Sequence, residues 1–260
     1  ANTTFSGNVG GSTALADISV TGAVIDAAAL AASGDITYTN SGSSKISGSI
    51  SASSFTKAGS GQLTFKPSDA TGDITLSAGS TVLSAASVMN NLSGSANINT
   101  DGNNLELNNT STTTYSGVLS GSGNITKSGT GRINLSGTNT YSGTTTISNG
   151  TLGITSAGKI GNGSYSETLS NSGTFLYASS ADQTLSGVIS GTGGITASGS
   201  GTVTLSGSNT LTGSVTLSGS GSVTASHANA LGSAPTIVAN STSSVLTVGS
   251  VTLPSLNVTG

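Results

Sequence analysis

The chain has 260 residues, of which only 6% are charged, and a formal net charge of −3. Six Lys and Arg residues are too few for a basic patch, which excludes nucleic acid and an anionic membrane surface as partners. Cysteine is absent, which excludes disulfides and thiolate metal sites, and the most apolar stretch, residues 23–32, contains Asp26 and is too short to insert in a membrane.

The apolar residues predict strands rather than disorder. Hydrophobic residues make up 33% of the chain, and Val, Ile and Leu are spread throughout it. Only 3 residues are Pro. Residues 1–33 show no clear repeat, and a short turn in residues 24–32 is the only helical structure that we expect. Ser, Thr, Asn and 39 Gly fill most of the remaining positions. The chain is therefore expected to be all-β.

From residue 34 onward the sequence repeats itself every seventy residues or so. Gly59, Gly129 and Gly199 occupy equivalent places in three similar segments, at equal intervals. We therefore predict a single elongated domain over residues 1–260, with repeat blocks at approximately 34–103, 104–173 and 174–243 and a partial fourth block at 244–260.

Each block contains a strand that alternates apolar and polar residues, which predicts one buried face. The inward positions, and so the predicted repeat core, are Leu63, Phe65, Ile133, Leu135, Val203 and Leu205. A Gly-x-Gly precedes each strand and predicts a tight corner, through a positive φ or a close approach of the backbone. The corner glycines are Gly59, Gly61, Gly129, Gly131, Gly199 and Gly201.

Short strands between such corners are compatible with a sandwich, a propeller or a solenoid. A block of seventy residues divides into three coils of ~20 to 25 residues, which is within the range of solenoid repeats. Stacked coils would place apolar rows inside and Ser, Thr and Asn rows outside. The spacing therefore favours a parallel β-solenoid of about a dozen coils.

Residues 119–152, LSGSGNITKSGTGRINLSGTNTYSGTTTISNGTL, closely resemble the autotransporter-associated β-strand repeat of Gram-negative passenger domains. Residues 189–221 resemble it more loosely, residues 46–84 are a degenerate copy, and the Asn-Ala-Leu-Gly at 229–232 often follows such repeats. The resemblance implies a right-handed parallel β-helix, secreted or displayed at the outer-membrane surface. It also implies adhesion, self-association or scaffolding, and it transfers no catalytic residues.

Catalytic patterns are weak. The single His227 has no evident partner, and the closest acids, Asp69 and Asp73, lie in a turn-like stretch where capping of the backbone is the simpler role. Tyr115 and Tyr141, each before a Ser-Gly pair, are expected to pack in the core or at corners rather than to form an exposed sugar platform. We therefore predict no catalytic residue, no metal and no cofactor.

Two functions from different classes remain. The first is an extracellular structural or adhesive module; the second is a β-helix that binds or cleaves carbohydrate, which one face rich in acids would favour. The scattered acids favour the first, with self-association or a surface polysaccharide or host ligand as partner. Residues 251–258 are apolar and alternating, which predicts pairing of that edge with more chain or with another copy in a head-to-tail filament.

Overall fold

The computed structural model describes residues 2–5, 9–10, 15–66, 72–232, 236–249 and 255–258. Its regular structure is almost entirely strand, with one 3₁₀ turn at Gly161–Gly163 and no α-helix among the described residues. Every pairing between the named strands is parallel.

The strands are β1 (Asn2–Phe5), β2 (Ile18–Gly22), β3 (Val24–Ala27), β4 (Leu30–Ala31), β5 (Asp35–Asn40), β6 (Ser44–Ile46), β7 (Ile50–Ser51), β8 (Ser54–Ala58), β9 (Gln62–Phe65), β10 (Asp73–Leu76), β11 (Ser80–Leu83), β12 (Ser87–Gly94), β13 (Asn97–Asn99), β14 (Leu105–Asn108), β15 (Thr113–Tyr115), β16 (Leu119–Ser120), β17 (Ile125–Lys127), β18 (Arg132–Leu135), β19 (Thr145–Ile147), β20 (Thr151–Ser156), β21 (Ser164–Tyr165), β22 (Leu169–Asn171), β23 (Thr174–Ser179), β24 (Gln183–Leu185), β25 (Ile189–Ser190), β26 (Gly194–Ala197), β27 (Thr202–Leu205), β28 (Val215–Leu217), β29 (Ser222–Ala225), β30 (Thr236–Ala239), β31 (Val245–Val248) and β32 (Ser255–Val258).

The strands form three faces of a solenoid, and the chain visits them in the same order in each coil. The first face contains β2, β5, β8, β10, the end of β12, β15, β18, β20, β23, β26, β28, β30 and β32. The second face contains β1, β3, β6, β9, β11, β13 and β16, and then β21, β24, β27, β29 and β31. The third face contains the start of β12, β14, β17, β19, β22 and β25; β4 and β7 hold the same place in the chain order and pair as a separate two-stranded sheet.

Two junctions hold these faces together. On the second face Thr140 N donates to the Leu119 carbonyl at 2.8 Å, and Thr138 bridges to Lys159, so the two groups of strands form one continuous side. The long β12 serves two faces because its backbone turns at Asn91, where φ is 41°. Its first half pairs with β14, whereas Gly94 pairs with β15.

The predicted parallel β-solenoid of about a dozen coils is confirmed, since the first face alone carries thirteen stacked strands. The expected division of each block into three whole coils is wrong. Leu63 and Val203 occupy equivalent places two blocks apart and both lie on the second face, separated by seven coils. Ile133, the equivalent residue of the block between them, lies on the first face.

The core runs along the whole interior and consists of alternate strand residues. Tyr115 and Tyr141 belong to it, with 0% and 1% of their surface exposed. Residues 24–32, expected to contain a helical turn, instead form β3 and β4, because Ile25 and Leu30 each turn inward on a different face. Of residues 251–258 the structure describes only the backbone of β32, which pairs with β30; the remainder of the predicted edge lies outside the described residues.

Candidate interaction surface

The residues predicted to form the repeat core lie in β9, β18 and β27, which the solenoid distributes over two faces. All have 0% of their surface exposed: Leu63, Phe65, Ile133, Leu135, Val203 and Leu205. Their outward neighbours differ, since Gln62 is exposed whereas Arg132 and Thr202 are half-buried. These positions therefore stabilise the solenoid and leave its surface to the intervening side chains.

The corner glycines are required mainly by the close stacking of coils. A Cβ on any of Gly59, Gly61, Gly129, Gly131, Gly199 and Gly201 would lie less than 3.0 Å from a backbone carbonyl oxygen of the preceding coil. Among these six, only Gly59 also has a positive φ, of 82°. Of the two reasons expected from the sequence, close approach of the backbone is thus the general one.

Two fully buried lysines hold corners together, and the sequence analysis missed them. The Lys57 ammonium donates to the carbonyl oxygens of Gly59 at 2.8 Å, of Gly61 at 2.7 Å and, in the next coil, of Ala78 at 2.7 Å. Three carbonyl acceptors satisfy the three donors of an ammonium group. Burial nevertheless lowers the pKa of Lys57 to about 8, because desolvation disfavours the charged form.

Lys127 repeats this arrangement at the equivalent place in the next block. Its ammonium donates to the carbonyl oxygens of Gly129 and, at 3.4 Å, of Asn149 in the next coil, and burial lowers its pKa to about 8. The third block has the small Ala197 at the equivalent position, also buried. Each lysine stands two residues after a core Phe or Ile, at a position that also faces inward. This spacing was the signal that could have identified the two lysines.

A chain of buried hydroxyls joins the second and third faces. Thr145 Oγ1 lies 2.8 Å from both the Tyr141 and Tyr165 hydroxyl oxygens, and the Tyr165 hydroxyl donates to the Gly143 carbonyl at 2.7 Å. The two rings meet edge to face, with centroids 5.8 Å apart. Desolvation raises the pKa of Tyr141 to about 12 and raises the pKa of Tyr165 as well. These phenols are therefore structural groups.

Two of the residues considered for catalysis belong to the described part of the chain, and each has its own hydrogen-bond partner. His227 is exposed, and its Nδ1 accepts a hydrogen bond from Asn229 N at 3.1 Å, as in a capped turn. Asp73 accepts from the Asn91 amide at 2.8 Å, and Asp69 lies outside the described residues. Across the described residues, no three His, Cys, Asp or Glu side chains are grouped to hold a metal ion.

The third face carries a continuous inner row of polar side chains and a shorter outer row, which ends before the exposed Val188. In the outer row the Asn124 amide donates to Asn104 Oδ1 at 3.1 Å, and Thr144 Oγ1 donates to Asn124 Oδ1 at 2.9 Å. The inner row is in strict register and half-buried: Glu106, Thr126, Thr146, Ser170 and Ser190. We call this double row the polar ladder; a depression of about 270 Å³, lined by Val88, Asn104 and Glu106 among others, lies at one end.

The ladder is almost uncharged. Glu106 is the only charged residue in its inner row, and its Oε1 accepts a 2.5 Å hydrogen bond from Ser128. Successive rungs follow the spacing of paired strands, about 4.7–4.9 Å. The arrangement offers hydrogen-bond donors and acceptors in a linear array.

These features define a three-sided, all-parallel β-solenoid with an apolar interior, glycine corners and a hydroxyl-rich face. Three segments of the chain match the passenger-associated-transport-repeat family: residues 55–85, 125–154 and 195–223. The matches are evenly spaced, in step with the repeat blocks, and they include all three predicted core strands. Together with the fold they confirm the predicted resemblance to autotransporter passenger β-helices.

Passenger repeats of this kind imply a secreted or surface-exposed protein and a structural β-helix. No helix within the described ranges is long and apolar enough to span a membrane. The chain matches no curated protein and no solved structure significantly.

Proposed function

We propose that this chain is an extracellular structural module, displayed at a bacterial surface, that associates side by side with other copies through the polar ladder. The observation that carries the proposal is the unbroken inner row from Glu106 to Ser190, five rungs of hydrogen-bonding side chains in register. Adhesion between cells, or growth of a matrix or filament, would follow from repeating this contact.

Rung spacing makes a second copy the best-matched partner. Any two parallel solenoids share the distance between paired strands, about 4.7–4.9 Å, because backbone hydrogen bonding sets it. Two ladders laid together therefore stay in register over every rung, and weak contacts add along the length. A partner with a different repeat would lose register within a few rungs.

Charge supports the same partner. With 6% charged residues and a net charge of −3, the surface generates little repulsion between identical copies. Hydroxyls and amides can donate and accept at once, so a ladder is complementary to itself. The contact would be polar and additive, which suits reversible association between tethered chains.

Lysine substitution on adjacent rungs tests the proposal. In the double variant Thr126→Lys/Thr146→Lys, like charges would meet across the interface and separate the copies. Sedimentation velocity of the purified chain, and aggregation of cells displaying it, should show association of the wild type and at least a tenfold loss in this variant.

Thr204→Lys/Thr224→Lys is the matched control. These threonines are also half-buried and directly paired in neighbouring coils, but they lie on the second face. The control adds the same charge and should associate like the wild type. A monomeric wild type, or equal loss of association in both double variants, would contradict lateral pairing through the ladder.

A further inference from the structure

One coil is longer than its neighbours, and the additional residues form a notch. Ile125 pairs with Thr145, and Thr145 pairs with Leu169 in the next coil. The second step along the chain is four residues longer than the first. The lengthened part of the coil contains the turn at Gly161–Gly163, which lies outside the segments that match the repeat family. Insertions in repeat proteins map to loops on one face, and that face is often the binding face.

The inserted turn has an unusual backbone. Gly161, Asn162 and Gly163 all have positive φ, of 52°, 54° and 89°. Asn is the residue that, after Gly, most readily tolerates this conformation. The turn stays bound to the coil beneath it, because Asn162 N donates to the Asn139 carbonyl at 2.9 Å. A concavity lies beside it, lined by residues of the turn and of that coil.

The concavity has a volume of about 180 Å³, smaller than a drug-sized pocket and of the order of a single sugar ring. Its polar lining includes Thr140, Ser142, Asn162, Ser164 and Glu167. Behind it, the Tyr141–Thr145–Tyr165 hydroxyl chain fixes both tyrosine rings, so the walls are pre-formed. A pre-formed site binds without the cost of ordering its walls.

The lining supplies polar groups with no other partner. The side chains of Thr140, Ser142 and Ser164 form no hydrogen bond to other groups in the described part of the chain. Glu167 is the one charged lining residue, and its carboxylate accepts only a 3.3 Å hydrogen bond from Ser166. A carboxylate has acceptor capacity for two or more further hydroxyl donors.

We propose that this notch, the sugar notch, binds one neutral pyranose ring of a glycan, with the Glu167 carboxylate accepting hydrogen bonds from a pair of ring hydroxyls. Hydroxyl and amide side chains can both donate to and accept from the remaining sugar oxygens. An anionic ligand such as phosphate or a uronate would meet the Glu167 charge inside the notch. The nearest cation, the Lys159 ammonium, lies outside the lining, beside Gly163 and 3.6 Å from where a Cβ on that residue would stand. The notch shares no lining residue with the polar ladder, so the two surfaces can be tested separately.

Titration of the ¹⁵N-labelled chain with methyl pyranosides of glucose, galactose and N-acetylglucosamine tests this. At least one neutral pyranoside should shift the backbone amide signals of Ser142, Asn162 and Ser164, and should bind more tightly than glycerol. Glu167→Gln removes the charge and keeps the shape, and should weaken binding about tenfold or more, as expected for loss of a charge-assisted hydrogen bond.

Glu106→Gln on the polar ladder is the matched control and should leave pyranoside binding unchanged. Circular dichroism establishes that both variants stay folded. The proposal is overturned if no pyranoside shifts these amides, if glucuronate or inorganic phosphate binds better than the neutral sugars, if glycerol binds equally well, or if Glu167→Gln binds like the wild type.

Discussion

The two buried lysines lead to a prediction about stability at alkaline pH. Burial lowers the pKa of Lys57 and of Lys127 to about 8, whereas a lysine in the unfolded chain has a pKa of about 10.4. Between these values the unfolded chain binds more protons than the folded one, so the free energy of unfolding rises with pH. Below pH 8 both ammonium groups are charged in either state, and this contribution is constant.

The magnitude follows from the two pKa values. One pKa unit corresponds to about 1.36 kcal/mol, so the full difference is about 3 kcal/mol for each lysine. About 2–3 kcal/mol of that would be gained between pH 7 and pH 10, or roughly 5 kcal/mol for the two lysines together. Both side chains have 0% exposed surface, so solvent screens this term little.

Urea unfolding followed by far-ultraviolet circular dichroism measures the effect across this range. In the double variant Lys57→Met/Lys127→Met the two side chains have similar length and do not titrate, so its stability should not show this rise between pH 7 and pH 10. The wild type should become more stable relative to it by several kcal/mol. Parallel pH profiles for the two proteins, or a wild type that loses stability over this window, would refute the reasoning.

Three further predictions concern the core and corners. Above about pH 10 stability should fall, because burial raises the pKa of Tyr141 to about 12 and the phenol of the unfolded chain ionises first. The prediction is contradicted if tyrosinate absorbance rises with a midpoint near pH 10 while the circular dichroism stays native. Gly129→Ala should lower the free energy of unfolding by at least about 1–3 kcal/mol, because the added Cβ would overlap the preceding coil. Gly194→Ala should be tolerated, because its Cβ would meet its nearest atom at 3.4 Å. Equal urea midpoints for the two variants would argue against close approach of the backbone. Ile133→Ala should cost about 2–5 kcal/mol and Ile133→Val about 0.5–1.5 kcal/mol in the same assay, and similar costs for both would indicate a loosely packed interior.

Local pattern was sufficient to predict strands with one buried face, and the spacing of the repeat blocks favoured a parallel solenoid over a sandwich or a propeller. The local evidence is the alternation around Leu63 and Ile133 and the glycine pairs before each strand. The resemblance of residues 119–152 to passenger repeats followed from the same residues, and the family match at 125–154 agrees with it. These features are local because a strand's inward face and a tight corner depend on a few consecutive residues.

Tertiary structure decided where each strand lies and which surface is shaped for binding. The hydrogen bonds between a strand and its partner in the preceding coil fix where each coil ends. Each repeat block holds about three and a half such coils. Equivalent strands of adjacent blocks therefore occupy different faces, which the spacing of glycines could not reveal. Buried Lys57, the polar ladder and the sugar notch depend on the same long-range stacking, because each is assembled from neighbouring coils.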